Sequence, residues 1–338
     1  MKKILLAITL FGTLTSVHGF SFSLFTKEPI PALAMAPLVE IPSEPTKKPL
    51  PALIPPITIT SDTPVITSKE VIAPKEITTI IWDLSFTLIE TSKIGLASEI
   101  GLGDCLFSTF FGGKGVDELR MLIGQILEKG SGKQTGANPY LDDTGKPMPT
   151  LMVDWFRGKQ TPEEIYTKAK QHIHDWDIEI GFDSPREKRI IEKAIETVID
   201  PRLLAKHTSV IQRALKIVEE CANKKDAHGK QKYKMIILGN WEKTAFDLFA
   251  QSKEGKKLMK FFAAENIILS GSCGLMKPDK EIFEHLIKEH TLDPETCIFI
   301  DDQEANIATA QACNFKTIHL HNGNYKKVRQ ELKKLKIL

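Results

Sequence analysis

Carboxylates, a lysine and two asparagines stand at four places in the chain, three of them directly after short apolar runs. Asp83-Leu84-Ser85-Phe86-Thr87-Leu88 follows the run from Glu76 to Trp82, and Gly239-Asn240-Trp241 follows the run from Tyr233 to Leu238. Asp301-Asp302 follows Cys297 to Ile300, with Asn306 one helical turn on. Lys277 lies in Gly274-Leu275-Met276-Lys277-Pro278-Asp279, leading into a stretch with Ile282 and Phe283. One carboxylate at a strand end is ordinary. Three carboxylates converging with an asparagine and a lysine are costly unless a cation and an anionic ligand compensate them. Carboxylate-rich oxygen sites suit Mg²⁺, which keeps several waters and accepts phosphate oxygens. A neighbouring lysine would neutralise charge on a nucleophile and on a transferring group. A plain Asp83–Lys277 ion pair would leave the Asp301–Asp302 pair unexplained.

The elements that must bring these groups together are legible from periodicity. Glu76 to Trp82, Tyr233 to Leu238, Asn266 to Leu269, Cys297 to Ile300 and Thr317 to Leu320 are short β-branched or apolar runs of strand length. Helical spacing fills the gaps over Val210 to Ala222, Lys243 to Gln251, Lys280 to His290 and Ala305 to Ala312. Strands alternating with helices predict an α/β protein, a parallel sheet covered on both faces. Ligands of such sheets bind beyond the carboxyl ends of the strands, which is where the polar residues fall.

With these residues in place, the chain resembles the haloacid dehalogenase-like hydrolases. Asp83-x-Ser85-x-Thr87-Leu88, Leu238-Gly239-Asn240-Trp241, Gly274-x-x-Lys277-Pro278-Asp279 and Phe299-Ile300-Asp301-Asp302-x-x-x-Asn306 are similar to the four ordered motifs of that superfamily. Phe299 to Leu320 is similar to its phosphatase and epoxide-hydrolase-N-terminal-domain branch. The resemblance covers 76–95 and about 205–338, and implies a Rossmann-like core with an inserted helical cap. It also implies that Asp83 is the nucleophile, forming an aspartyl-phosphate, and a Mg²⁺ ligand. Ser85 would offer its backbone carbonyl to the metal, Asp302 would ligate directly, and Asp301 would support it or ligate through water. Lys277 would hold nucleophile and phosphate. Asn240 and the Gly239 amide would face the phosphate, with Thr87 and Asn306 supporting.

Two positions depart from the family pattern. Ser85 stands where its phosphatases carry a second aspartate, which protonates the leaving oxygen and later activates water. A serine hydroxyl has no carboxylate-like pKa, and loss of such a group typically costs about 10²–10⁴-fold in rate. Gly239 stands where a Ser or Thr hydroxyl usually meets the phosphate. The expectation is therefore a Mg²⁺-dependent hydrolase of a small phosphorylated molecule with weakened acid–base catalysis. The alternative is a catalytically degenerate module that keeps the metal and anion pocket for binding.

The remainder of the chain bounds this reading. Of 338 residues, 42% are hydrophobic and 26% charged, an ordinary globular balance. Lys and Arg number 45 against 43 Asp and Glu, so the near-neutral charge argues against a nucleic-acid binder. Met1-Lys2-Lys3, the apolar Ile4 to Val17 and the small Gly19 have the layout of a secretory signal over 1–19. Export to a periplasmic or extracellular space follows, with no integral span after cleavage. Eleven of 19 prolines lie between Phe20 and Lys75, so 20–75 reads as an extended linker whose partner is unknown. The α/β core would then be 76–95 and 201–338, with a helical cap over 96–200 that closes on the site. Thr161-Pro162-Glu163-Glu164 is a helix start within it. Arg157 and Lys159 are candidates to meet a substrate anion, although solvated charge is the plainer reading. Gly112-Gly113-Lys114-Gly115 lacks the strand and Ser/Thr of a phosphate loop, and Ser131 to Pro149 reads as a long loop. His172 and His174 lie two apart, so they do not share a helix face.

Overall fold

The structure is a computed structural model in which residues 75–101, 116–128, 140 and 147–338 are described. The expected signal (1–19), all of the linker but Lys75, the glycine run 112–115 and most of the loop 131–149 lie outside the described residues.

Five strands form one parallel sheet: β1 (Thr79–Trp82), β4 (Lys234–Gly239), β5 (Ile267–Leu269), β6 (Cys297–Asp301) and β7 (Lys316–His319), in the order β5-β4-β1-β6-β7. Their side chains alternate between two separate apolar layers, as the period of two demands. Ile80, Trp82, Met235, Ile237, Ile298 and Ile300 face one layer, which includes α7 (Gln212–Ala222), α8 (Lys243–Gln251) and α13 (Tyr325–Lys334). Ile81, Ile236, Leu238, Cys297 and Phe299 face the other, against α11 (Lys280–His290) and α12 (Glu304–Ala312). There the rings of Phe283 and Phe299 meet edge to face at 5.4 Å. Burial on both faces explains why these strands read as continuous apolar runs rather than alternating ones. The α/β sheet expected from the sequence is thus present, with both faces covered.

A short antiparallel pair lies just beyond β1: β2 (Ile89–Thr91) against β3 (Thr208–Val210). Between them the described chain is helical: α1 (Lys93–Ile100), α2 (Val116–Glu128), α3 (Thr150–Phe156), α4 (Pro162–Glu179), α5 (Pro185–Ile199) and α6 (Pro201–Lys206). Local chemistry sets the starts of these helices. Thr161 and Glu164 form a reciprocal capping box on α4, and Ser184 caps the Glu187 amide on α5. Pro162, Pro185 and Pro201 each occupy a first helical position, where no amide donor is missed. α9 (Lys253–Met259) and the single turn α10 (Ser270–Cys273) complete the core helices among the described residues. On α13 Val328 and Leu332 are buried, and Leu335, just past its last residue, is exposed. No described helix is long and apolar enough to cross a membrane. Cys221, Cys273, Cys297 and Cys313 are free thiols.

Candidate active site

Register brings the first two carboxylates together. Trp82 is level with Ile300 across β1 and β6, and the Asp83 amide donates to the Ile300 carbonyl at 2.8 Å. Asp83 and Asp301 therefore leave neighbouring strands at the same carboxyl end. Between them arrives Lys277, whose Nζ donates to Asp83 Oδ1 at 2.5 Å and to Asp301 Oδ2 at 2.8 Å. The ammonium also lies 5.3 Å from the centre of the Phe299 ring. All three charged residues are at most 5% exposed, so no bulk water shares in their compensation.

The loop that delivers Lys277 is held by Asn240. The Lys277 amide donates to Asn240 Oδ1 at 2.9 Å, and Asn240 Nδ2 donates back to the Lys277 carbonyl at 2.8 Å. The Asn240 carboxamide thus holds the Lys277 peptide from both sides. Asp301 is fixed in the same manner. Its Oδ1 accepts from the Gln303 amide at 2.7 Å, and Asn306 Nδ2 donates to both of its oxygens at 3.0–3.1 Å.

One ammonium faces three carboxylates, and the imbalance shows in their acidity. Burial pushes the Asp83 carboxyl up to about 6, with Lys277 pulling it back and Asp301 adding to the rise. Burial, then the charges of Asp301 and Asp83, hold Asp302 well above the ordinary carboxylate range. Burial alone would lower the Lys277 ammonium, but Asp301 and Asp83 outweigh it and hold it above its ordinary value. The lysine is a cation at any physiological pH.

The donor set fits a divalent metal. Ligand atoms of Asp83, Asp301 and Asp302 lie within 4.8 Å of one another. Asp83 Oδ2 is buried without a hydrogen-bond partner, an orphan that costs free energy unless a cation meets it. Among the described residues no backbone amide donates to the Ser85 carbonyl, and no cation pairs with half-buried Asp302. Asp301 has both oxygens engaged in hydrogen bonds, from Lys277, Gln303 and Asn306.

Gly239 has a structural cause beyond its amide. A Cβ built there would lie 2.9 Å from the Cβ and 3.2 Å from the Cδ2 of Leu84, which is fully buried. Leu84 thus occupies the space that a side chain at 239 would need. Just past Ser85, Phe86 adopts φ 61°, in the left-handed region that non-glycine residues rarely enter. The turn is clamped by Tyr325, whose hydroxyl donates to the carbonyls of Phe86 at 3.1 Å and Thr87 at 3.0 Å. Burial, then the Asp302 charge, holds that phenol above its ordinary pKa and keeps it a donor. The Thr87 hydroxyl is buried with no hydrogen-bond partner. His319 Nε2 lies 2.9 Å from the Asp302 carbonyl, a backbone contact that steadies the residue after β6. Neither Tyr325 nor His319 carries a local sequence signal for these contacts.

The other polar residues singled out in the sequence lie elsewhere. Arg157 pairs with Asp279, and Lys159 pairs with Asp154 at 2.9 Å, so neither is an uncommitted cation. His172 Nδ1 contacts the Ile126 carbonyl, while Asp175 accepts from Gln171 and Asp177 pairs with Lys188. These three residues of α4 have separate partners, and neither they nor His174 form a metal cluster among the described residues.

No family model matches the chain. Over 72 residues it is 36% identical to the D-ribitol-5-phosphate phosphatase of Bacteroides thetaiotaomicron, covering 21% of this chain and 34% of that protein. Over 56 residues it is 36% identical to the sesquiterpene phosphatase astK of Aspergillus oryzae, covering 17% of this chain and 29% of that protein. The match thus spans about a third of the length of either curated relative. Among solved structures, a haloacid dehalogenase (HAD) family enzyme of Bacteroides thetaiotaomicron in complex with magnesium aligns with a TM-score of 0.44 at 18% identity. That alignment covers 74% of this chain and 96% of that one.

Proposed function

We propose that this chain is a haloacid dehalogenase-like hydrolase that takes phosphate from a small phosphorylated molecule onto Asp83, with Mg²⁺ as cofactor. The observation that carries this reading is the buried Asp83–Lys277–Asp301 bridge with an orphaned Asp83 oxygen beside the unpaired Asp302. The local identity to two phosphatases agrees with it.

Asp83 Oδ2, the Ser85 carbonyl and Asp302 would hold the metal, whose charge would be shared with the phosphoryl oxygens. Lys277 keeps the Asp83 carboxylate ionised and turned toward the phosphate, with Asn240 fixing the lysine's backbone and Asn306 fixing Asp301. A carboxylate oxygen of Asp83 attacks phosphorus, the bond from phosphorus to the leaving oxygen breaks, and that oxygen departs with the electron pair. Water then attacks the phosphorus of the aspartyl-phosphate, the bond from phosphorus to the Asp83 oxygen breaks, and phosphate leaves with the Asp83 carboxylate restored and the water's proton lost to solvent. Ser85 neither protonates the leaving oxygen nor deprotonates the water, so both steps are slow for poor leaving groups.

Stopped-flow reaction of the full chain with an aryl phosphate tests this directly, because such a leaving group needs little protonation. A Mg²⁺-dependent burst followed by slow turnover is the expected result. Absence of both at saturating Mg²⁺ would replace the reading with the degenerate binding module favoured by Ser85 and by the Leu84-filled space at Gly239. Export is proposed on the signal-like layout of 1–19. The amino-terminal sequence of secreted protein should begin near Phe20, and retention of Met1 would exclude it.

A further inference from the structure

Asp279 stands at the N-cap of α11, where an aspartate ordinarily accepts a hydrogen bond from the amides of the first helical turn. Here its side chain makes no such bond. Its Oδ2 accepts instead from the Tyr140 hydroxyl at 2.5 Å and pairs with Arg157 Nη2, and the Arg157 guanidinium stacks 4.7 Å from the Tyr140 ring centre. Both partners come from the helical insertion, while Asp279 is two residues from Lys277. A carboxylate at a capping position has been turned away from its own helix toward another part of the molecule.

The backbone around Arg157 is anchored to the core independently of that pair. On one side, fully buried Ser270 donates through Oγ to the Phe156 carbonyl at 2.6 Å. On the other, Gly158 has φ +66° and packs so closely that a Cβ there would lie 2.3 Å from the Gly271 carbonyl oxygen. Gly271 in turn donates to the Trp241 carbonyl at 3.1 Å, next to the asparagine that holds Lys277. The residues 156–158 therefore touch the core along one seam, and that seam runs to both ends of the loop that carries the lysine.

We infer that Arg157 and Tyr140 are positioning residues: by gripping Asp279 they couple the seating of the helical insertion to the placement of Lys277. Asn240 fixes the Lys277 peptide from within the core, and the Arg157–Tyr140 grip fixes the chain two residues later. With the insertion seated, the ammonium bridges Asp83 and Asp301. With the grip released, the 277–279 segment loses its outer restraint, and the lysine with it. The inference rests on the roles given to Asp83 and Lys277 above.

The test uses the full chain in five forms, wild type, Arg157→Gln, Asp279→Asn, Arg157→Lys and the Arg157→Gln/Asp279→Asn double variant, with p-nitrophenyl phosphate and Mg²⁺. Misplacing a catalytic group by about 1 Å costs about 10²-fold, so Arg157→Gln and Asp279→Asn should each slow the burst by about 10–100-fold. KM should change by less than about threefold, because neither residue is placed on the substrate. Arg157→Lys should recover most of the rate. The Arg157→Gln/Asp279→Asn double variant should be no slower than the slower single, since both act through one contact. A loss confined to KM, an equal loss in Arg157→Lys, or additive losses would each overturn the inference. Amide hydrogen exchange supplies a readout that needs no activity. Exchange at Lys277 and Asp279 should quicken in Arg157→Gln while the β1 amides keep their protection. If the wild type shows no burst, the functional reading falls, and unchanged exchange at 277–279 would sink the coupling separately. Should Arg157→Gln fail to fold, Tyr140→Phe removes one of the two donors, and it must show the same pattern at smaller amplitude.

Discussion

Of the two oxygens of Asp83, Oδ1 is held by the Lys277 ammonium and Oδ2 has no partner among the described residues. Asp83→Asn would remove the nucleophile while keeping the shape, so burst and turnover with an aryl phosphate should both vanish. Ser85→Asp would place a titratable carboxyl two residues on, at a half-buried position. Steady-state turnover should then rise, by up to about 10²-fold, since the group missing from the site is an acid–base one. No rise would mean that the pocket has diverged beyond this position. Gly239 supplies an independent measure of that divergence. Gly239→Ser would drive a Cβ against Leu84, and overpacking of this kind costs about 1–3 kcal/mol, which chemical denaturation would read. Leu84→Gly removes the Cβ that would lie 2.9 Å away as well as the Cδ2, so the double variant should be less destabilised than the sum of the singles; strict additivity would refute the steric account.

At the scale of elements, the carboxyl-end rim is held from outside the sheet. Tyr325, the first residue of α13, reaches back to two carbonyls of the turn after β1, one of them that of Phe86 in its left-handed conformation. Tyr325→Phe would leave both carbonyls short of a donor while keeping the ring packed. Roughly 1–3 kcal/mol of stability should be lost, together with part of the burst rate, because the turn sets the Ser85 carbonyl. A stability loss with an unchanged burst would confine Tyr325 to the fold. These two elements are 239 residues apart at the contact, and nothing local near Tyr325 announces it. The same distinction separates what could be read from the sequence and what could not. Asp83, Asp301 and Gly239 were legible because each ends an apolar run whose burial demands a strand. The helix from Pro162 was legible because its capping box is local chemistry. The side-chain target of Asn240, the Leu84 that excludes a side chain at 239, and the diversion of Asp279 from its own helix are all products of tertiary packing. The β2–β3 pair was too short, at three residues each, to carry a periodicity.

For the whole molecule, the unbalanced negative charge at the rim must be visible as a link between pH, metal and stability. Asp83 titrates at about 6 in the folded chain against an ordinary 3.8, and Asp302 is also raised. Between those values the folded state binds more protons than the unfolded one, so metal-free stability falls as pH rises from about 4 through 6. The raised pKa of Lys277 has the same sense in a different window: its stability contribution is constant over this range and is lost only above pH 10.5. A divalent cation binds the ionised carboxylates and competes with their protons. Mg²⁺ should therefore raise the melting temperature strongly at pH 7.5 and little at pH 5, cancelling the metal-free decline. Asp302→Asn should shrink both the decline and the Mg²⁺ response, because it removes one of the two raised carboxyls and one donor to the metal. Thermal melts of the full chain across pH 4.5–8, with and without Mg²⁺, check all of this at once. A Mg²⁺ shift independent of pH would mean that the ion binds away from Asp83 and Asp302. A metal-free melting temperature that rises over pH 4–6 would mean that Lys277 and the surrounding dipoles already compensate the three carboxylates, leaving no electrostatic demand for a metal.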